Sequence, residues 1–144
     1  MRRLTFLVPL LWIPGLAHAD ELPAAAQRFI AAFQAMHQAS STAADVDRLL
    51  ALCTDELVYE HARVGAVVRG KSQIRAGFVA HLGEIRGDRT QVVRSAQGPR
   101  FVALEVLRTF EVKDGSGWKP VSRKQLLVLE RDEQEHIKRV LDDW

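Results

Sequence analysis

The chain has 144 residues, 47% hydrophobic and 26% charged, with 20 Lys+Arg against 18 Asp+Glu and one cysteine. With Arg2 and Arg3 assigned to a leader, the remainder carries 18 residues of each sign, which excludes a nucleic-acid partner or a membrane surface bound by net charge. A lone Cys53 excludes an internal disulfide and reads as a small buried hydrophobe.

The leader is residues 1–19. Arg2 and Arg3 precede the apolar run "LTFLVPLLWIPGLA", and "AHA" places small residues before a cleavage point after Ala19. The run is too short to span a bilayer comfortably and holds Pro9 and Pro14. No cysteine follows the cleavage point, so no lipid anchor is expected. The expectation is a cleaved signal peptide, a periplasmic or secreted protein without a stable membrane anchor, and a single domain over residues 20–144.

Within that domain, Phe29, Phe33, Met36 and His37 share one face of a helix expected from about Leu22 to Ala39. Thr42 followed by Asp45 has the spacing of a capping box for a second helix, whose inner face is Val46, Leu49, Leu50 and Cys53. "ELVYEHA" is the first strand. A third helix follows Gly70, with Ile74, Phe78 and Leu82 four apart. After "GEIRGDR", the segments "TQVVRSA", "RFVALEVLRTFEV", "WKPVSRKQLLVLER" and "EHIKRVLDDW" read as strands joined by turns. The order helix, helix, strand, helix and four strands predicts an α+β fold: a curved antiparallel sheet with three helices from the N-terminal half on its concave face. In "FVALEVLRTFEV" both faces are apolar, Val102, Leu104, Val106 and Phe110 against Phe101, Ala103 and Leu107. One face covers the helices, which leaves the other for homodimerisation or another partner.

Two chemistries are refused on physical grounds. "GAVVRGKS", residues 65–72, matches the phosphate-loop pattern G-x-x-x-x-G-K-[ST] between a strand and a helix. Val67-Val68 favours extended chain over an inward-turned cradle of N–H groups, and hairpins replace the parallel strand–helix units of a nucleotide-binding sheet. The chain also lacks H-x-H, H-E-x-x-H and paired cysteines, so neither a metal nor another cofactor is expected.

With this element order, "CTDELVYEHARVGAVVRGKSQIRAGF" and the closing "EHIKRVLDDW" resemble the nuclear transport factor 2-like superfamily, in its SnoaL-like and ketosteroid-isomerase-like branches, over nearly all of residues 20–144. The resemblance implies a cone-shaped, often dimeric domain among isomerases, cyclases, dehydratases, hydrolases and plain binding proteins. It places His61 where the isomerase branch has its base carboxylate. Leu127 falls where that branch keeps an oxyanion-binding acid, and Phe33, Met36 and His37 lie where a tyrosine donor would stand. Leucine donates no hydrogen bond, so the resemblance does not imply ketosteroid isomerisation itself.

Strand parity puts Tyr59, His61 and Arg63 on one face, and Val140, Asp142 and Trp144 on another that the resemblance assigns to the cavity. A His61–Asp142 pair would fix the imidazole tautomer for base catalysis, with Arg123 and Gln125 near a developing oxyanion. The expected ligand pocket comprises Phe33, Met36, Tyr59, Phe78, Arg123, Gln125, Leu127 and Trp144. Each candidate also has a plainer reading. His61 could cap a strand, Asp142 beside Asp143 could be solvated, and Arg123 could snorkel at a cavity mouth. His37 could be a packed core residue, His81 and His136 surface residues, and Trp118 and Trp144 packing or dimer contacts. The expected functions are a histidine-based isomerase, cyclase or lyase acting on a small apolar or carbonyl-bearing molecule, or a non-catalytic ligand-binding or homodimeric module.

Overall fold

A computed structural model describes residues 21–143. The expected signal peptide, its cleavage point and Trp144 lie outside the described residues. Among them, no helix is long and apolar enough to cross a membrane.

Pro23 opens the first helix, α1 (Ala24–Ala35), which buries Ala25, Ala26, Phe29 and Phe33. The helix stops short of the expected Ala39. The Gln34 carbonyl, which an α-helical Gln38 N–H would need, instead accepts the His37 N–H at 3.1 Å and Gln38 Nε2 at 2.8 Å, so the ladder ends in a tighter turn. Helix α2 (Ala43–Leu50) begins as the Thr42/Asp45 spacing predicts, with the Thr42 N–H donating to Asp45 Oδ2 at 2.8 Å. Cys53 does not extend α2 but opens the next strand, its thiol donating to the Leu49 carbonyl at 3.6 Å. Burial pushes that thiol up to about 12, which leaves it an inert core residue.

Strand β1 (Cys53–His61) leads through a 3₁₀ turn (Ala62–Val64) and Gly65, at φ +67°, into β2 (Ala66–Arg69). Val67 and Val68 of the phosphate-loop look-alike are therefore extended and paired with Glu60 and Tyr59. Lys71, which the pattern would aim at a phosphate, contacts Asp55 at 3.1 Å instead. Helix α3 (Lys71–Ala80) follows Gly70, and then β3 (Ile85–Gly98), β4 (Phe101–Asp114), β5 (Gly117–Arg131) and β6 (Ile137–Asp143) complete one six-stranded sheet.

The sheet order is β2-β1-β6-β5-β4-β3. All neighbours are antiparallel except β1 and β6, which run parallel, so the antiparallel expectation gives way to a mixed sheet at one seam. A parallel pair needs a long crossover, and α3 with the β3–β5 meander supplies it. Three helices cover one face of the open sheet, the α+β arrangement read from the element order. As parity predicts, Val102, Leu104 and Val106 of β4 are fully buried, with Phe29, Leu49, Leu57, Leu129 and Val140 in the same core. Phe101, at 43% exposure, lies on the opposite face.

One irregularity positions the site. The β3–β4 register shifts between Arg86 and Arg89, with Gly87 at φ +66°, so β3 is bulged there. The bulge turns Asp88 inward: it is 4% exposed while its neighbours Gly87 and Arg89 are exposed.

Candidate functional site

Between the helices and the sheet lies a cavity of about 380 Å³. Phe33 of α1 and Met36, which caps that helix, form one wall, Phe78 and Leu82 another, and Phe110, Val112 and Val121 the sheet side. Onto this hydrocarbon surface converge His37, Tyr59, His61, Arg108, Arg123 and Asp142. A few polar groups in an apolar hollow is the usual constitution of a small-molecule site.

His61 lines the cavity, half-buried at the end of β1, its ring 5.0 Å from that of Tyr59. Burial lowers its pKa from the ordinary 6.5, so the imidazole is neutral at pH 7. Asp142 is its register partner across the parallel seam and also lines the cavity. At 1% exposure Asp142 is not the solvated residue its neighbour Asp143 suggested.

Two neutral side chains donate to Asp142. Tyr59 Oη donates to Oδ2 at 2.9 Å, and Gln125 Nε2 donates to Oδ1 at 2.9 Å. Burial raises the carboxyl to about 6, against the opposing pull of the Tyr59 hydrogen bond and the more distant charges of Arg108, Arg123 and His37. Burial and the adjoining carboxylate likewise raise the Tyr59 phenol well above 10.0. The far end of the Gln125 amide, Oε1, is buried without a partner. Half a turn of that amide would present it as acceptor to a protonated Asp142, so this bond can serve either ionisation state.

A second buried carboxylate, Asp88, has charged company. Arg108 donates to it from Nε at 3.3 Å and from Nη2, and His37 Nδ1 approaches Oδ2 at 3.5 Å. Burial would raise Asp88, but the hydrogen bonds of His37 and Arg108 and the arginine charge outweigh it and hold the carboxyl low. Phe33 and Phe110 flank the Arg108 guanidinium at 4.8 and 5.1 Å. Arg123 stands 5.2 Å from the Phe110 ring, and desolvation, followed by repulsion from Arg108, lowers its pKa.

The expected pocket is thus only partly the observed one. Phe33, Met36, Tyr59, Phe78 and Arg123 line the cavity with His61 and Asp142. Gln125 and Leu127 do not line it: both are buried behind it, Gln125 as a support for Asp142 and Leu127 as its cross-strand neighbour in the core. Two inward strand positions can lie beneath a third that closes over them, which parity alone cannot distinguish. The sequence reading missed Arg108 as a site residue and missed Asp88. Arg108 had a signal: it interrupts the apolar face Val102, Leu104, Val106, Phe110. His81 lies at the surface as expected, paired through Nδ1 with Glu84 at 2.7 Å, and this pair also borders the cavity. Among the described residues, no group of three or more His, Cys, Asp or Glu could hold a metal ion.

The architecture is shared with solved structures. A protein of ketosteroid isomerase-like fold from Catenulispora acidiphila, crystallised with trimethylamine, superimposes with a TM-score of 0.69 at 16% identity, covering 86% of this chain and 87% of that one. A candidate SnoaL-like polyketide cyclase from Shewanella putrefaciens gives 0.68 at 12% identity, with 85% and 90% coverage. A Mycobacterium tuberculosis protein in complex with estradiol-17β-hemisuccinate gives 0.63 at 18% identity, with 83% and 90% coverage. At these identities the likeness concerns the fold. The SnoaL-like domain family itself matches residues 26–137, most of the chain. The chain belongs to the SnoaL-like domain family, within the ketosteroid isomerase-like, nuclear transport factor 2-like fold.

Proposed function

We propose that the protein binds a small apolar molecule bearing a carbonyl or other oxygen function, and that His61, beside Asp142, moves a proton on it as an isomerase, cyclase or lyase. The observation that carries this reading is the constitution of the cavity. About 380 Å³ of mostly hydrocarbon wall meets an imidazole held neutral by burial and a carboxyl raised to about 6. Groups whose ionisation changes near neutrality can both take and return a proton. Arg123, which also lines the cavity, would offer positive charge to a developing oxyanion. The estradiol ester held by the M. tuberculosis protein supports the ligand class, and the Shewanella cyclase candidate supports the reaction class.

A panel of cyclic ketones tests both halves. Thermal stabilisation by a ligand supports occupancy of the cavity. Solvent proton exchange into that ligand, lost in His61→Ala, supports the chemistry. Stabilisation without exchange, unchanged by His61→Ala, makes the protein a binder alone.

We further propose that the protein works outside the cytoplasm, on the strength of residues 1–19, and pairs with a second copy through the outer sheet face. Phe101 and Leu126 expose 43% and 42% of their surfaces there, beside Ala103 and Val128. A mass in solution twice that of the chain, reduced to one by Leu126→Glu, is the expected result. A monomeric wild type removes the pairing.

A further inference from the structure

The bulge in β3 does more than bury a carboxylate. It brings Asp88 to the end of α1 and fastens it there: the Asp88 N–H donates to the His37 carbonyl at 3.3 Å, and Gln38 Nε2 donates to the Asp88 carbonyl at 3.1 Å. Gln34 Nε2 reaches the Thr90 carbonyl at 3.2 Å, on the other side of the bulge. His37 is thereby fixed at both backbone and ring. Its Nδ1 lies 3.0 Å from the Phe33 carbonyl oxygen and 3.5 Å from Asp88 Oδ2. Both neighbours only accept, since the Asp88 carboxyl is held ionised, so Nδ1 carries the ring proton. In a neutral imidazole that makes Nε2 the lone-pair nitrogen. The ring stands edge-on to Phe33, with centroids 4.6 Å apart, and lines the cavity.

We propose that His37 is a second proton acceptor of this cavity, acting through Nε2, and that Asp88 is its positioning residue, set in place by the β3 bulge. At His37 an acid stands behind the imidazole, with Asp88 Oδ2 3.5 Å from Nδ1. In the step this arrangement allows, the Nε2 lone pair takes a proton from a carbon next to the ligand's carbonyl, and the C–H electron pair passes into an enolate. The imidazolium keeps its Nδ1–H towards the Asp88 carboxylate, which offsets the new charge, and the proton returns to the ligand from Nε2. Bulges recur beside active sites because they re-aim one side chain without breaking the sheet. Here the re-aimed side chain is the acid.

The proposal deepens the reading above, which supplies the bound molecule, and its test is separable from that reading. Nitrogen-15 spectra of the wild-type histidines at pH 8 report the tautomer: His37 is expected with Nδ1 protonated and Nε2 bare. Diethyl pyrocarbonate, a small reagent that acylates unprotonated imidazole nitrogens, is expected to label His37 at Nε2. Asp88→Asn, which keeps the shape and removes the charge, is expected to slow that labelling about tenfold or more. A proton on Nε2 in the wild type, or a His37 that stays unlabelled while His61 reacts, overturns the proposal. Should Asp88→Asn not fold, the wild-type tautomer and labelling still decide. A bound cyclic ketone is expected to protect His37. If no ketone binds, the ligand reading falls while tautomer and labelling continue to judge His37.

Discussion

Asp88 and Asp142 are both nearly inaccessible, at 4% and 1% exposure, yet they stand in opposite electrical circumstances. Asp88, on the bulge of β3, is bridged by the Arg108 guanidinium and approached by His37, and its carboxyl is held low. Asp142, on β6, accepts from the neutral donors Tyr59 and Gln125, and its carboxyl rises to about 6. Depth is the same and ionisation is not. What decides is whether the contacting donor carries a full charge. The fold thus contains one fixed anion, suited to orienting another group, and one acid whose proton is exchangeable near neutrality.

The sharpest way to break this contrast is to remove the cation. Arg108→Met leaves Asp88 buried without its compensating charge, and a loss of roughly 3–5 kcal/mol in urea unfolding is expected. Asp142→Asn should cost far less at pH 7, because it replaces an acid whose ionised form burial already disfavours. A loss at Asp142 equal to that at Arg108 would erase the distinction.

The next effect lies in pH. The folded-state value of Asp142, about 6, exceeds its ordinary 3.8, so the folded protein binds more protons than the unfolded chain between those values. Its contribution is fully present below about pH 4 and is lost as pH rises through about 6, a total of roughly 3 kcal/mol. Asp88, with a lowered carboxyl, works the other way: its contribution is present above the ordinary value and lost on acidification. Subtracting the stability profile of Asp142→Asn from that of the wild type should isolate a declining term over pH 4–6. A flat difference would contradict the raised value.

Smaller still is Tyr59→Phe, which removes one donor from Asp142 Oδ2 and nothing from Asp88. About 1–3 kcal/mol of stability should be lost at pH 7, and the Asp142 titration should move higher because the lost bond favours the ionised form. A downward movement would mean that Tyr59 does not hold the carboxylate.

Much of the contrast could be read in the sequence, and where it could not, the reason is local geometry. The period of two put Tyr59 with His61 and Val140 with Asp142, and the resemblance assigned the latter face to the cavity; the pairing from Val58–Arg139 to His61–Asp142 runs without a shift. Across β3 that rule fails. "GEIRGDR" looked like a connection, and a bulge inserts residues that break the alternation, so no parity count could turn Asp88 inward. Arg108 was within reach of the sequence, since a charge amid four apolar inward positions demands a buried partner. That partner lies in "GEIRGDR", ahead of the segments that read as strands. His37 was legible as a helix-face residue near Phe33, but its hydrogen-bonded state depends on where α1 is cut short. The turn that follows that end is fastened to Asp88, which lies far along the chain on the β3 bulge.

A carbon-13 titration of the aspartate side-chain carboxyls tests the contrast directly. Asp142 is predicted to titrate near 6 while Asp88 remains ionised down to below 3.8. Both carboxyls titrating together at or below 3.8 would contradict it.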